Sequence, residues 1–238
     1  MLKRLRLGAA WRNTASFVHR RLQKRRADKH LLFYDLLAAV QQPGCPLCRL
    51  VADAGARRLA FLFHEEVNDP PTRLRLRASL GFCTRHARQS AHPGNALGLA
   101  IIYKDLAERA LERLQNRDRA LLQQGCPECE EERRDAERFA RALAADLLEP
   151  ELQSAYLKGE GLCIPHLQLV GRFAPPESWR FLQKVEQERL RRLAEELGEF
   201  IRKNDYRFRD EPMGAERNVW LRALCKFSGQ QNKEETTP

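Results

Sequence analysis

The chain has 238 residues, with 42 Lys and Arg against 32 Asp and Glu and a formal charge of +10. That length suits one large domain or two small ones, and 43% hydrophobic residues suffice for a core. No apolar run approaches the roughly 18 residues of a membrane span, and no apolar leader segment follows the basic N-terminus, so a cytoplasmic protein is expected.

Residues 1–30 hold ten basic residues and one acid, Asp28, whereas the remainder holds 32 basic and 31 acidic residues. The charge excess therefore belongs to an N-terminal arm, and the body is nearly neutral. A flexible extension, or a reading frame begun too early, accounts for the arm more simply than a functional element does. Its charge would suit nucleic acid or an anionic surface. Leu2, Leu5, Leu7, Trp11, Phe17 and Val18 also give it an apolar side.

Beyond the arm the apolar spacing is helical almost throughout. Helices are expected over 47–66, 71–80, 96–122, 129–148, 151–159, 177–203 and 214–227. Leu99, Ile102, Tyr103, Leu106, Ala110 and Leu114 illustrate the rhythm of three and four. Pro93-Gly94 and Pro175-Pro176 punctuate the chain before the two longest helices. No strand-like alternation occurs. The expected class is all-α, a duplicated helical unit packed as one helical domain, each copy with a CPxC/CxxH metal cluster. The expected boundaries are the arm at 1–30 and a first Cys3His unit at 31–124. A second unit with a C-terminal helix follows at 125–229, and a disordered tail at 230–238.

The duplication is carried by cysteine and histidine. Cys45-Pro-Leu-Cys48 is followed after 34 residues by Cys83-Thr-Arg-His86, and Cys126-Pro-Glu-Cys129 after 33 by Cys163-Ile-Pro-His166. Proline stands 13 residues before Cys83 and before Cys163, as Pro70 and Pro150, each preceded by an acid, and Gly81 and Gly161 stand two residues before. Asp69-Pro70 reads as a helix cap with proline in the first turn, and Gly81 as the helix stop. Offsets this regular mark a repeated structural unit differing by one inserted residue.

Three thiols and one imidazole per copy form a ligand set that zinc accepts in a closed tetrahedral site. Cys45, Cys48, Cys83, His86, Cys126, Cys129, Cys163 and His166 are the candidate ligands for two zinc ions. A CPxC at a helix start is favourable for thiolates, because free N–H groups and the helix dipole both point there. Each repeat holds a complete ligand set, which favours closure within a repeat, with exchange between repeats as the alternative. In that arrangement zinc would tie the start of one helix to the end of the next. An iron–sulfur cluster on the same ligands, a dithiol redox pair and an absence of metal remain alternatives.

Simpler readings suffice elsewhere. Cys225, among Leu221, Leu224 and Phe227, reads as a small buried hydrophobe. His19, His30, His64 and His92 lack partners at ligand spacing. Arg189, Arg191, Arg192, Glu195, Glu196 and Glu199 read as a solvated helix face with ion pairs. Tyr206-Arg-Phe208-Arg reads as packing of the last helix onto the body, before base stacking. No nucleotide-binding loop, nucleophile elbow or catalytic carboxylate pair is present.

With these residues in hand, the chain resembles an uncharacterised bacterial family, a domain of unknown function with a duplicated CPxC…GxCxxH motif. The carrying segments are 43–48, 68–70, 81–86, 95–101, 126–129, 161–166 and 200–208, continuing to Trp220. The resemblance covers roughly 31–229 and leaves out the arm. It implies no reaction and so no catalytic residue. The expected function is a non-enzymatic zinc-binding scaffold or adaptor for a macromolecular partner. An iron–sulfur or dithiol redox protein and a nucleic-acid binder steered by the arm are the alternatives.

Overall fold

A computed structural model of the chain describes residues 31–117, 125–208 and 210–229. The basic arm 1–30, the tail 230–238 and the expected helical residues 118–122 lie outside these. So do His19 and His30. Every regular element among the described residues is helical, as the apolar spacing requires. No helix among them is long and apolar enough to cross a membrane.

A helix over 31–40 (α1), not expected from the sequence, precedes the first repeat. Its Leu36, Leu37, Ala39 and Val40 are buried. The first repeat then comprises α2 (Pro46–Phe61), α3 (Pro70–Ser79), α4 (Thr84–Ser90) and α5 (Ala96–Gln115). The second comprises α6 (Pro127–Asp146), α7 (Pro150–Lys158), α8 (Ile164–Gly171) and α9 (Pro176–Lys203), and α10 (Val219–Ser228) follows. Helix α5 ends at Gln115 in a turn, earlier than its apolar spacing suggested.

The inserted residue of the first repeat has a visible home. Proline 70 lies 22 residues after Cys48, whereas Pro150 lies 21 after Cys129. Helix α2 continues into a π-helical turn, Leu62–Glu66, and α6 has no such turn. A π turn spends one more residue per hydrogen bond, so it absorbs an insertion without breaking the helix.

Proline opens α2, α3, α6, α7 and α9 within the first two positions, where its missing N–H costs nothing. The Asp69 side chain caps α3 by accepting from Thr72 N at 2.9 Å. The helix stops at Leu80, which itself takes the left-handed conformation at φ 50°, with Gly81 following at φ +96°. Gly81 N–H donates to Leu76 O at 2.8 Å and closes the end. In the second repeat Gly161 also has positive φ, and a Cβ there would collide with Glu186 and Arg189.

The large core takes side chains from both repeats. Leu47, Leu50 and Ala54 of α2 meet Phe139 and Leu143 of α6 and Leu147 just after it, with Leu152, Tyr156, Leu162, Val170 and Leu182 around them. Helices α2 and α6 pack along each other. The far end of α2 meets the start of α6, where Arg58 donates to Glu128 at 2.8 Å and pairs with Asp135. The two CPxC helices therefore run antiparallel, with their cysteine ends apart. A smaller core of Leu62, Leu76, Ile102 and Leu106 holds α3 and α5 together.

Beside that core, Asp105 accepts from Arg77 at 2.8 and 2.7 Å and pairs with Arg73 at 2.8 Å. The hydrogen bond from Arg77 holds its carboxyl below the usual range, against the opposing effect of burial, with Arg73 adding to it. A depressed carboxyl stabilises the fold fully above its unfolded value of about 3.9, and this is lost as pH falls through the lower folded value. Asp105→Asn should cost on the order of 1 kcal/mol at neutral pH, discounted for the exposure of Arg77, and nothing in strong acid. Urea unfolding at several pH values checks this, and a loss independent of pH would contradict it.

Candidate metal centres

Each candidate ligand pair, Cys–Cys or Cys–His, enters at the start of a helix. Cys45, Cys83, Cys126 and Cys163 are the residues at the N-caps of α2, α4, α6 and α8. Cys48 and Cys129 follow one turn inside α2 and α6, and His86 and His166 one turn inside α4 and α8. All eight candidate ligands converge in two groups of four. One holds Cys45, Cys48, Cys163 and His166; the other holds Cys83, His86, Cys126 and Cys129.

This grouping corrects the expectation that each repeat closes its own site. The CPxC of one repeat meets the CxxH of the other, in both directions. The antiparallel pairing of α2 and α6 is the physical reason. It separates the two CPxC ends, and the start of each CxxH helix falls beside the opposite repeat's CPxC. Each group consequently joins two helix starts, not a start and an end. Four helix N-termini, taken in pairs, thus bring the positive ends of their dipoles beside the thiols.

Distances within the groups describe a cradle for one ion. In the first, Cys48 and Cys163 Sγ lie 3.7 Å apart, and His166 Nδ1 lies 3.5, 3.3 and 3.2 Å from Cys45, Cys48 and Cys163. In the second, Cys83 and Cys129 Sγ lie 3.6 Å apart, and His86 Nδ1 lies 3.3, 3.4 and 3.4 Å from Cys83, Cys126 and Cys129. A tetrahedron built on Zn–S of about 2.3 Å and Zn–N of about 2.0–2.1 Å has S···S edges near 3.8 Å and S···N edges near 3.6 Å. A disulfide needs about 2.05 Å, far below these separations. The donor sets thus fit a single four-coordinate ion and can hold a metal.

The electrostatics agree. Crowded thiols compete for one ionisation. Burial pushes Cys45 up, but hydrogen bonds from Cys163, Cys48 and His166 hold it well below the usual thiol range. Cys48 is raised by Cys163 and Cys45. In the other group burial and Cys83 push Cys129 up to about 12. The imidazoles respond as the nearest cations available: burial opposes it, yet His166 rises to about 10 through Cys163 and Cys45, and His86 to about 9 through Glu132 and Cys126. A metal cation relieves the crowding by taking all the thiolates at once.

The environments differ. Cys45 and Cys163 belong to the large core. Cys129 is exposed, but His86 is fully buried. His86 Nε2 lies 3.0 Å from Glu132 Oε1, and Arg85 donates to the same carboxylate at 2.9 Å. Glu132 was missed in the sequence because it sits in the run Glu130-Glu131-Glu132, which reads as a solvated face.

Three further sequence expectations need correction. Cys225 is exposed, not buried, and lines an open cleft of about 500 Å³ that also reaches Cys45 and Cys163. Helix α10 leaves Leu224 and Phe227 exposed and Leu221 less so along the cleft, so these neighbours do not bury the thiol. Arg189 does not share the solvated face of Arg191 and Arg192. It turns inward to Glu186 at 2.6 Å and to Gly159 O at 2.7 Å. Tyr206 is 81% exposed and packs nothing onto the body, whereas Arg202 covers the Phe208 ring at 4.7 Å. His64 and His92 take ordinary surface roles, His92 accepting from Gly94 N.

A further buried site underlies the cleft. Glu186 accepts from Tyr156 Oη at 2.5 Å, from Lys226 Nζ at 2.5 Å and from Arg189 Nη1 at 2.6 Å. Its position four residues after the core residue Leu182 signals the inward face, though its charge argues the other way.

Comparison with known proteins agrees with the duplication. An uncharacterised 23.9 kDa protein of the xynA 3′ region of Caldicellulosiruptor sp. (strain Rt8B.4) is 29% identical over 170 residues, covering 68% of this chain and 83% of that protein. No solved structure matches. The model of a family of unknown function, DUF6062, matches twice, over 34–146 and 117–234, and together these span all eight candidate ligands. With its two matches, its two Cys3His groups and its helical repeats, the chain belongs to the family of unknown function DUF6062.

Proposed function

We propose that the protein is a non-enzymatic helical scaffold whose two repeats are clasped together by two structural zinc ions, and that the clasped body binds a macromolecular partner. One observation carries the reading: each group draws its four donors from both repeats and keeps them all within 4.8 Å of one another. Zinc would be held by Cys45, Cys48, Cys163 and His166 at one end of the α2–α6 pair, and by Cys83, His86, Cys126 and Cys129 at the other. It would supply a cross-link. Four protein donors fill a tetrahedral site, so no position remains for activating water. A polynuclear iron–sulfur cluster distributes its ligands over separate iron atoms, which calls for a wider donor set than this.

Metal analysis of protein purified without oxygen tests the reading. Two zinc ions per chain and a colourless solution are expected. Brown protein with iron and sulfide would replace zinc by iron–sulfur chemistry. Thiol titration gives a second test. Cys225 should react first, and a strong chelator should release up to six further thiols together with unfolding. CPxC thiols that cycle to disulfide without loss of fold would establish the redox reading instead.

A further inference from the structure

The duplication supplies an internal comparison around the two metal centres. Glu132 stands three residues after Cys129, and the equivalent place after Cys48 holds Val51. Arg85 stands two residues after Cys83, and the equivalent place after Cys163 holds Pro165. A carboxylate braced by a guanidinium thus meets the histidine at one centre, where the other offers an apolar residue and a proline.

The contacts use this difference. His86 is fully buried, with Nδ1 among three sulfurs and Nε2 3.0 Å from Glu132 Oε1. Arg85 Nη1 donates to Glu132 Oε1 at 2.9 Å, and Arg85 Nη2 pairs with Oε2. The carboxylate is therefore held at both oxygens, and its side chain is 14% exposed. His86 Nε2 is buried without an aligned hydrogen bond and has the fixed Glu132 oxygen 3.0 Å away, so a small rotation lets Nε2–H donate to it while Nδ1 is given to a metal. Carboxylates in this position orient the ligand and raise its basicity.

We propose that Glu132, braced by Arg85, is a positioning residue that fixes His86 for metal binding, making the centre of Cys83, His86, Cys126 and Cys129 dependent on a carboxylate that the other centre does without. The inference rests on the two-metal reading above. It predicts two centres of different chemical character in one chain. The apolar centre is held by the surrounding core, and the polar one by an ion-paired relay from Arg85 through Glu132 to the imidazole.

The test is competition between the full-length zinc protein and a chromophoric chelator, which resolves two binding steps. Wild-type protein releasing fewer than two zinc ions overturns the two-metal reading and this inference with it. Given two steps, Glu132→Leu should weaken one of them by about 10–100-fold and leave the other unchanged. Glu132→Gln retains a side-chain oxygen to accept from Nε2–H, so it should restore most of that loss. Equal weakening of both steps, or no weakening of either, would overturn the inference. If Glu132→Leu does not fold, the rate of zinc release from the smaller Glu132→Ala decides, since it too removes both oxygens. Faster release at one centre alone supports the positioning role, and unchanged release at both removes it.

Discussion

Cys48→Ser and Cys163→Ser are expected to remove the same metal ion, although the two residues stand 115 positions apart and in different repeats. Cys83→Ser and Cys129→Ser should likewise share the loss of the other ion. The double variant Cys48→Ser/Cys163→Ser should then retain one zinc per chain, as either single variant does. Cys48→Ser/Cys83→Ser, with both changes in the first repeat, should retain none. Apparent binding free energies of structural zinc, roughly 10–16 kcal/mol, match or exceed the ~5–15 kcal/mol stability of a typical domain. Even a loss of about 5 kcal/mol lowers Tm by roughly 10–20 °C in a chain of this size. Metal content by mass spectrometry and thermal unfolding of these six variants decide the matter. Retention of one zinc by Cys48→Ser/Cys83→Ser would mean that the centres close within repeats.

The eight candidate ligands, the repeat and the proline-led helices could be picked out because each has a local chemical cause. Proline at N1 suits an orphan position, and CPxC needs only one helical turn to place both thiols. The pairing was not legible. Closure within a repeat and exchange between repeats use identical residues at identical spacing. Only the antiparallel packing of α2 on α6, a long-range outcome of which leucines meet, separates them. Glu132 was hidden for a related reason. Among Glu130, Glu131 and Glu132 the first two lie at the surface paired with Arg134, and nothing in the sequence marks the third as the one facing His86. Cys225 failed in the opposite sense. Its apolar neighbours suggested burial, but Leu224 and Phe227 are themselves 57% and 60% exposed.

Removing the Glu186 carboxylate should be as costly as truncating a fully buried core side chain. Lys226 and Arg189 are only 11% and 16% exposed and both converge on it. Lys226 also donates to Leu162 O at 2.6 Å, and Arg189 to Gly159 O. The carboxylate thereby pins α10 to the segment that leads into Cys163. Glu186→Leu would leave two nearly buried cations facing an apolar side chain. Breaking a buried pair on one side costs about 3–5 kcal/mol, because the remaining charge is uncompensated. For a chain of this size that corresponds to roughly 6–20 °C in Tm. Glu186→Gln keeps hydrogen-bonding capacity and should lose less, on the order of 1–3 kcal/mol. Removing Lys226 as well should recover part of the loss in Glu186→Leu. Chemical unfolding of the single and double variants measures the coupling, and strict additivity would show that the carboxylate does not hold α10.

With zinc in both groups, the crossed clasp would set an order in which the protein can mature as it is synthesised. The ligands from Cys83 to Cys129 are complete once residue 129 has emerged, and their thiols are separated by only 46 positions. The thiols of Cys45 and Cys48 are made first but must wait for Cys163 and His166. At about 5–20 residues per second, the stretch from Cys129 to His166 adds roughly 2–7 s of translation. During that interval the earliest cysteine pair has no histidine of its own group to join, so it is the pair most open to premature oxidation or to capture of a wrong metal. The second centre can close in that time, and its closure ties the start of α6 to that of α4 before the long loop between Cys48 and Cys163 has to be drawn in. Each closure shortens the span that the next must search, which lowers its entropic cost.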